Sequence, residues 1–228
     1  MQTIAERLKS AYERKDQAAA SALRPPNSVA LLAVSKTKPV SDISQAYEAG
    51  QRLFGENYVQ EGVEKVQALR SLTDIQWHMI GPIQSNKTRL VAEHFDWVQS
   101  VDREKIARRL NDQRPDTLAP LNVLIQVNID DEASKSGVSP SSVGELIKAI
   151  GDMPKLVLRG LMAIPKVTSN TQEQAETLSE LAQLFRTYHT NLSNFDTLSV
   201  GMSNDMEAAI AHGSTMVRIG SAIFGERD

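Results

Sequence analysis

The 228-residue chain contains no cysteine and no long apolar run. The lack of cysteine excludes disulfides, thiolate nucleophiles and thiolate metal ligands. A helix that crosses a bilayer needs about 20 consecutive apolar residues, so no membrane segment is expected. The charged, amphipathic start of the chain also lacks the apolar core of a secretory signal and is typical of a helix. These absences favour a cytoplasmic protein.

Neither sign of charge dominates the chain. It carries 25 Lys and Arg against 28 Asp and Glu, for a net charge of −3, and this balance gives no overall attraction to a polyanion. The four histidines, His78, His94, His189 and His212, show no metal-ligand spacing. We therefore expect no nucleic-acid partner, no membrane partner and no metal, and a small molecule as the ligand.

Short β-rich segments alternate with longer amphipathic ones, which is typical of βα units around a parallel sheet. The predicted strands are Val29–Ser35, Arg52–Phe54, Ile75–Ile80, Trp97–Ser100, Asn122–Asn128, Leu156–Ala163, Thr197–Val200 and Met216–Ile219. Helical spacing is found near 41–50, 58–69, 85–94, 103–112, 140–151, 171–190 and 204–212. Eight strands with seven helical connectors predict a single α/β domain over 1–228, a (β/α)8 TIM barrel with an extra N-terminal helix.

In such a barrel the functional groups lie where the strands end. The first strand reads VALLAVSK and brings Lys36 to this rim. A partly desolvated lysine, or one near another cation such as Lys38, can lose its proton and attack an aldehyde. The alternative is an ordinary solvated lysine at a strand end.

Two loops near the end of the chain indicate phosphate binding. The seventh strand runs into Gly201–Glu207 and the eighth into Arg218–Ser221. Small residues let backbone amides approach a phosphate, and Ser203 and Ser221 add hydroxyl donors. Asn204 is predicted to begin a helix and to form a capping box with Glu207; Asp42 and Ser139-Pro140 also look like helix starts. Two ordinary turns remain the alternative.

Three further side chains are candidates for the same site. Arg218 is a charge within an apolar strand, so we expect it to face a polar barrel interior, or to pair with a neighbouring strand. His78, near the end of the third strand, and Asn57, after the second, are assigned supporting roles. Core packing or loop capping is the alternative for both.

The motifs LLAVSKTKP, FGENYVQE, WHMIGPIQSNK, SKSG, GLMAIP and LSVGMSNDMEAAIAHGSTMVRIGSAIFG together resemble the pyridoxal phosphate homeostasis protein family over nearly the whole chain. The resemblance implies a barrel similar to the N-terminal domain of bacterial alanine racemase, with pyridoxal 5′-phosphate held as a Schiff base on Lys36. It implies phosphate contacts at Ser203, Asn204, Gly220 and Ser221, with Arg218 facing the pyridine nitrogen.

The same resemblance implies a cofactor carrier without established enzymatic activity. An arginine beside the ring nitrogen opposes protonation of the ring and so weakens its capacity to withdraw electrons. Only Phe224–Asp228 remain after the eighth strand and its loop, so we expect no second domain with a second acid-base group. We also expect a monomer that supplies apo-enzymes with the cofactor. A slow racemase-like enzyme and a Schiff-base aldolase acting on a sugar phosphate remain alternatives.

Overall fold

The computed structural model describes residues 2–132 and 136–226. Within them, eight parallel strands form a closed barrel in which each strand pairs with the next and β8 pairs with β1. The strands are β1 (Ala30–Val34), β2 (Leu53–Glu56), β3 (Gln76–Met79), β4 (Trp97–Val101), β5 (Leu121–Val127), β6 (Leu156–Ala163), β7 (Thr197–Ser199) and β8 (Met216–Ile219). The predicted TIM barrel is confirmed.

Helices cover the outside of the barrel and follow the strands in alternation. They are α1 (Ile4–Ser21), α2 (Val40–Glu48), α3 (Val59–Ala68), α4 (Thr88–His94), α5 (Glu104–Gln113), α6 (Val143–Gly151), α7 (Thr171–His189), α8 (Met206–Ala211) and α9 (Ser221–Phe224). Short 3-10 turns precede β1, α4 and α6. Because the strands lie between this outer layer and the barrel interior, most of their residues are buried, and in β5 six of seven are.

The extra helix α1 begins with a capping box. The Thr3 hydroxyl accepts a hydrogen bond from the Glu6 amide at 3.2 Å, and the Glu6 carboxylate accepts one from the Thr3 amide at 2.8 Å. These bonds satisfy two amides that a helix start leaves unpaired. The buried face of α1, which includes Ile4 and Leu8, packs against α8 and α9, so the helix belongs to the hydrophobic core.

Most predicted element boundaries agree with the structure within two residues, but two details differ. The turn after β8 forms a short helix, α9, that sequence periodicity did not indicate. The helix starts are also shifted: α2 begins at Val40 after Pro39, so Asp42 lies inside its first turn, and Ser139 makes no side-chain cap. Within the described residues, no helix has the length and apolar character of a membrane span.

Two predicted features fall partly outside the described residues, the SKSG motif and the segment Phe224–Asp228. The residues that fall outside are Ser134 and Lys135 of the motif, and Arg227 and Asp228 at the end of the chain.

Candidate functional site

A cavity of about 390 Å³ opens at the carboxyl ends of the strands. Its walls come from the ends of β1 and β8 and from the segments that follow β1, β2, β3, β6, β7 and β8. Seven of the eight predicted site residues line it: Lys36, Asn57, Ser203, Asn204, Arg218, Gly220 and Ser221. The eighth, His78, does not. The fold therefore brings together residues that are up to 185 positions apart in the sequence, from Lys36 to Ser221.

Lys36 follows β1 and is supported by a buried ion pair between α3 and β2. Lys65 donates hydrogen bonds to both carboxylate oxygens of Glu56, at 2.9 and 3.0 Å, and to the Ser35 carbonyl at 2.7 Å. The Ser35 hydroxyl donates to Glu56 at 2.5 Å. Burial raises the pKa of Glu56 above its ordinary value, although Lys65 and Ser35 oppose this shift. The residue before Lys36 is thus fixed through its side chain and its backbone.

The residue after Lys36 is fixed as well. Thr37 has a φ of +63°, which is unfavourable for a β-branched residue. Its amide donates to the Glu61 carboxylate at 2.6 Å, and the same oxygen accepts a hydrogen bond from Lys65 at 2.6 Å. Such a backbone conformation persists only where the surroundings enforce it. Lys65 therefore connects the supports on both sides of Lys36.

Arg218 forms part of the cavity floor. Its side chain donates to the Ser199 carbonyl and hydroxyl, both at 2.8 Å, and to the Ala163 carbonyl at 2.9 Å. Burial lowers the pKa of Arg218 to about 10, and the charge of Asp205 opposes this shift. The guanidinium is thus still charged at neutral pH. The prediction that Arg218 faces a polar interior rather than an ion-pair partner agrees with these contacts.

His78 lies deeper in the barrel than the cavity. The Ser199 hydroxyl donates to the side-chain oxygen Oε1 of Gln99 at 2.6 Å, and the side-chain nitrogen Nε2 of Gln99 lies 3.0 Å from Nδ1 of His78. Since Ser199 is on β7 and Gln99 on β4, these side chains meet across the barrel interior. His78 stacks on Trp97, and its Nε2 has no hydrogen-bond partner among the described residues. Burial lowers the pKa of His78 to about 3, so its ring is uncharged at neutral pH. Among the described residues, Gln99 and Ser199 connect His78 to Arg218.

The two loops predicted to bind phosphate both line the cavity, and they follow the neighbouring strands β7 and β8. Ser203 and Asn204 come from the first loop, and Gly220 and Ser221 from the second. A Cβ at Gly220 would lie 3.3 Å from the Val34 carbonyl oxygen. A glycine there lets the backbone of the second loop lie close to β1.

The predicted capping box of Asn204 and Glu207 is wrong. Helix α8 begins at Met206 after Asp205, without a side-chain cap. Asp205 instead accepts a hydrogen bond from the Met202 amide at 2.6 Å, and Glu207 binds Arg14 of α1. The loop is held by this tight turn and by a residue distant in sequence, so Asn204 lies at the cavity wall instead of capping α8.

Sequence reasoning missed one wall of the cavity. Residues 164–168, which follow β6, line it together with Gln174, and Ile164 and Val167 are exposed there. Lys36 was selected because functional groups of a barrel lie where its strands end. The same criterion applied to the sixth strand would have found this segment. Lys38 also lines the cavity and donates to the Glu226 carbonyl at 2.7 Å. The described residues contain no cluster of three His, Asp or Glu suited to a metal ion.

Comparison with known proteins identifies the family. The model of the alanine racemase N-terminal domain matches residues 10–228. An Escherichia coli (strain K12) protein named pyridoxal phosphate homeostasis protein is 56% identical over 230 residues, covering 100% of this chain and 98% of the relative. A Vibrio alginolyticus protein of the same name is 61% identical over 208 residues, covering 90% and 89%. The chain belongs to the pyridoxal phosphate homeostasis protein family.

Solved structures agree with this assignment. PipY of Synechococcus elongatus, solved with pyridoxal phosphate bound, is 34% identical with a TM-score of 0.82, covering 98% of this chain and 100% of PipY. A protein from Bifidobacterium adolescentis is 33% identical with a TM-score of 0.90, covering 97% and 94%. Alanine racemase from Corynebacterium glutamicum, at 15% identity and a TM-score of 0.67, shares the fold; the match covers 96% of this chain and 62% of the racemase. The predicted family is confirmed.

Proposed function

We propose that the chain binds pyridoxal 5′-phosphate through a reversible Schiff base on Lys36, with the phosphate held by the two loops after β7 and β8. The observation that carries this proposal is the convergence of Lys36, Arg218 and both loops on one cavity. An amine for the aldehyde and hydroxyls for the phosphate fit the polar groups of this cofactor. PipY, a relative that covers nearly the whole chain, was solved with pyridoxal phosphate bound.

Further features of the cavity fit such a ligand. The side-chain oxygen Oδ1 of Asn57 is buried, lacks a hydrogen-bond partner among the described residues and belongs to a residue of the cavity wall. A buried acceptor without a partner is costly, and a ligand or an ordered water satisfies it. Ser203 and Ser221 supply hydroxyl donors that suit phosphate oxygens. His78 does not line the cavity. Any supporting role of His78 therefore acts through the hydrogen-bonded side chains of Gln99 and Ser199, which connect it to Arg218.

We further propose that the chain stores and supplies the cofactor without turnover. A bound pyridoxal phosphate supplies an electron-withdrawing ring when its nitrogen is protonated. Arg218 keeps its charge at neutral pH and, placed beside that nitrogen, opposes its protonation. Relatives at 56% and 61% identity are named homeostasis proteins, which supports a carrier role. Delivery to apo-enzymes, a cytoplasmic location, a monomeric state and one domain over 1–228 stay predictions.

Borohydride trapping tests the covalent bond. Protein incubated with pyridoxal phosphate and reduced with borohydride should carry one stable adduct, which peptide mass spectrometry assigns to Lys36. Pyridoxamine phosphate shares the ring and the phosphate but lacks the aldehyde, so it should leave no adduct and serves as the matched control. Labelling mainly at another lysine, or no visible absorption after incubation, contradicts the proposal.

A slow racemase-like activity is the second candidate, because the fold is shared with alanine racemases and Lys36 could accept an α-proton. Deuterium wash-in at Cα of a panel of amino acids separates the two functions. We expect no Lys36-dependent exchange. Exchange at enzyme-like rates that disappears in Lys36→Ala would establish the enzyme instead of the carrier.

A further inference from the structure

Helix α1 lies across the two helices that follow the phosphate loops. It packs against α8, which follows the first loop, and against α9, which begins at Ser221 of the second loop. Its buried residues belong to the main hydrophobic core. Helix α1 thus contacts both α8 and α9. The relative position of these two helices fixes the spacing of the two loops.

Three arginines of this N-terminal region bind the backbone or side chains of α8 and α9. Arg7 donates to the Ile223 carbonyl in α9 at 2.6 Å. Arg24 donates to the Ile210 carbonyl near the end of α8 at 2.8 Å. Carbonyls in the last turn of a helix lack their i+4 amide partner, and a cation satisfies them well. The Ile210 carbonyl also accepts a hydrogen bond from the Gly213 amide at 3.1 Å. Arg7 and Arg24 therefore fix the ends of α9 and α8 that point away from the loops.

The third arginine, Arg14, binds the opposite end of α8. Both its Nε and one of its terminal nitrogens donate to the Glu207 carboxylate, the latter at 2.6 Å. This is a bidentate pair, which fixes orientation as well as distance. Glu207 stands in the first turn of α8, three positions after Asn204. Arg14 thus also neutralises a carboxylate that would otherwise repel a phosphate near this loop.

We propose that Arg7, Arg14 and Arg24 are positioning residues that set the affinity of the two loops for the phosphate monoester group of the ligand. The proposal rests on the proposed function and deepens it, since it assigns phosphate affinity in part to a helix that does not line the cavity. None of the three arginines touches the cavity. They act through α8 and α9, which carry or follow Asn204 and Ser221.

Comparing pyridoxal phosphate with pyridoxal tests this inference. Pyridoxal offers the same ring and aldehyde without the phosphate, so its affinity should not depend on the spacing of the loops. In Arg14→Met and in Arg7→Met/Arg14→Met, absorbance titrations should show pyridoxal phosphate binding weakened by about tenfold or more, while pyridoxal binding changes by less than about twofold. A general loss of structure would weaken both ligands alike.

Lys9→Met is the matched control, because Lys9 lies on the same helix and its ion pair in the described part of the chain is with the exposed Glu13. It should leave both affinities unchanged. Arg14→Lys keeps the charge but loses the bidentate geometry, and it should give a smaller loss of phosphate preference than Arg14→Met. If the double variant fails to fold, Arg14→Met alone decides, since it removes one half-exposed ion pair.

The two proposals fail in different ways. Wild-type protein that takes up no pyridoxal phosphate on Lys36 contradicts the proposed function. The positioning role alone is contradicted if wild-type protein prefers pyridoxal phosphate over pyridoxal and if Arg14→Met and Arg7→Met/Arg14→Met keep the same preference.

Discussion

Replacing Lys65 by methionine should test whether the buried pair beneath Lys36 supports the fold. The Lys65 side chain is 6% exposed and that of Glu56 is 0% exposed, so solvent screens neither charge. Methionine fills a similar volume but removes the ammonium group. The substitution leaves Glu56 buried with only the Ser35 hydroxyl as a donor, and it removes the hydrogen bonds to the Ser35 carbonyl and to Glu61.

Breaking a buried ion pair from one side costs about 3–5 kcal/mol of unfolding free energy. Since whole domains have about 5–15 kcal/mol, Lys65→Met should lower the urea midpoint strongly at pH 7. The double variant Lys65→Met/Glu56→Gln removes the uncompensated charge and should recover much of this loss. Arg108→Met, which breaks an exposed pair with Glu104 on α5, is the control and should change the midpoint little.

The pH dependence gives a second readout. Burial already raises the pKa of Glu56 above 4.5, and the loss of Lys65 raises it further. A raised carboxyl pKa lowers stability as the pH rises, because the unfolded chain ionises first. The difference between wild type and Lys65→Met should therefore be small near pH 4.5 and grow toward pH 8, by up to about 1.4 kcal/mol per pH unit. A loss at pH 7 below about 1 kcal/mol, or one equal at pH 5 and pH 8, would refute the reasoning.

Two further predictions concern the chain of side chains inside the barrel. Because folded His78 has a pKa of about 3 against an ordinary 6.5, its contribution to stability is complete above pH 6.5 and declines as the pH falls, by about 2 kcal/mol at pH 5. Urea titrations of His78→Asn should lack this component, and an unchanged acid profile would count against it. Arg218→Glu reverses the charge at the cavity floor and should shift the absorption band of bound pyridoxal phosphate or weaken its binding; unaltered spectra and titrations would place Arg218 away from the ring nitrogen.

The barrel could be predicted from sequence because its strands are short β-rich segments separated by longer amphipathic helices. Strand β6 (Leu156–Ala163) and strand β8 (Met216–Ile219) match their predicted bounds. Helix starts were harder to predict. Asn204 was expected to cap α8, but Asp205 accepts a hydrogen bond from the Met202 amide and the helix begins after it. A local sequence pattern does not reveal which of two neighbouring polar residues ends the turn and precedes the helix.

The candidate site was predictable where it follows from strand ends alone. Lys36 and Ser221 each lie two positions after the last residue of a strand, and the barrel topology brings such positions to one rim. The depth of a side chain is different, because it depends on how the strands are staggered around the barrel. His78 and Arg218 both precede a strand end by one position, yet Arg218 reaches the cavity and His78 does not.

The supports of the site were not visible in the sequence at all. Lys65 and Arg14 lie on amphipathic helices where a charge is usually solvated, and only the packing of α3 and α1 shows what they bind. Their separation has a functional consequence. Lys65 holds the backbone around the amine of Lys36, whereas Arg14 acts on the phosphate loops from the opposite end of the chain. Because different helices carry these two supports, we expect that the proposed covalent attachment and the proposed phosphate recognition can be weakened one at a time, the first by Lys65→Met and the second by Arg14→Met.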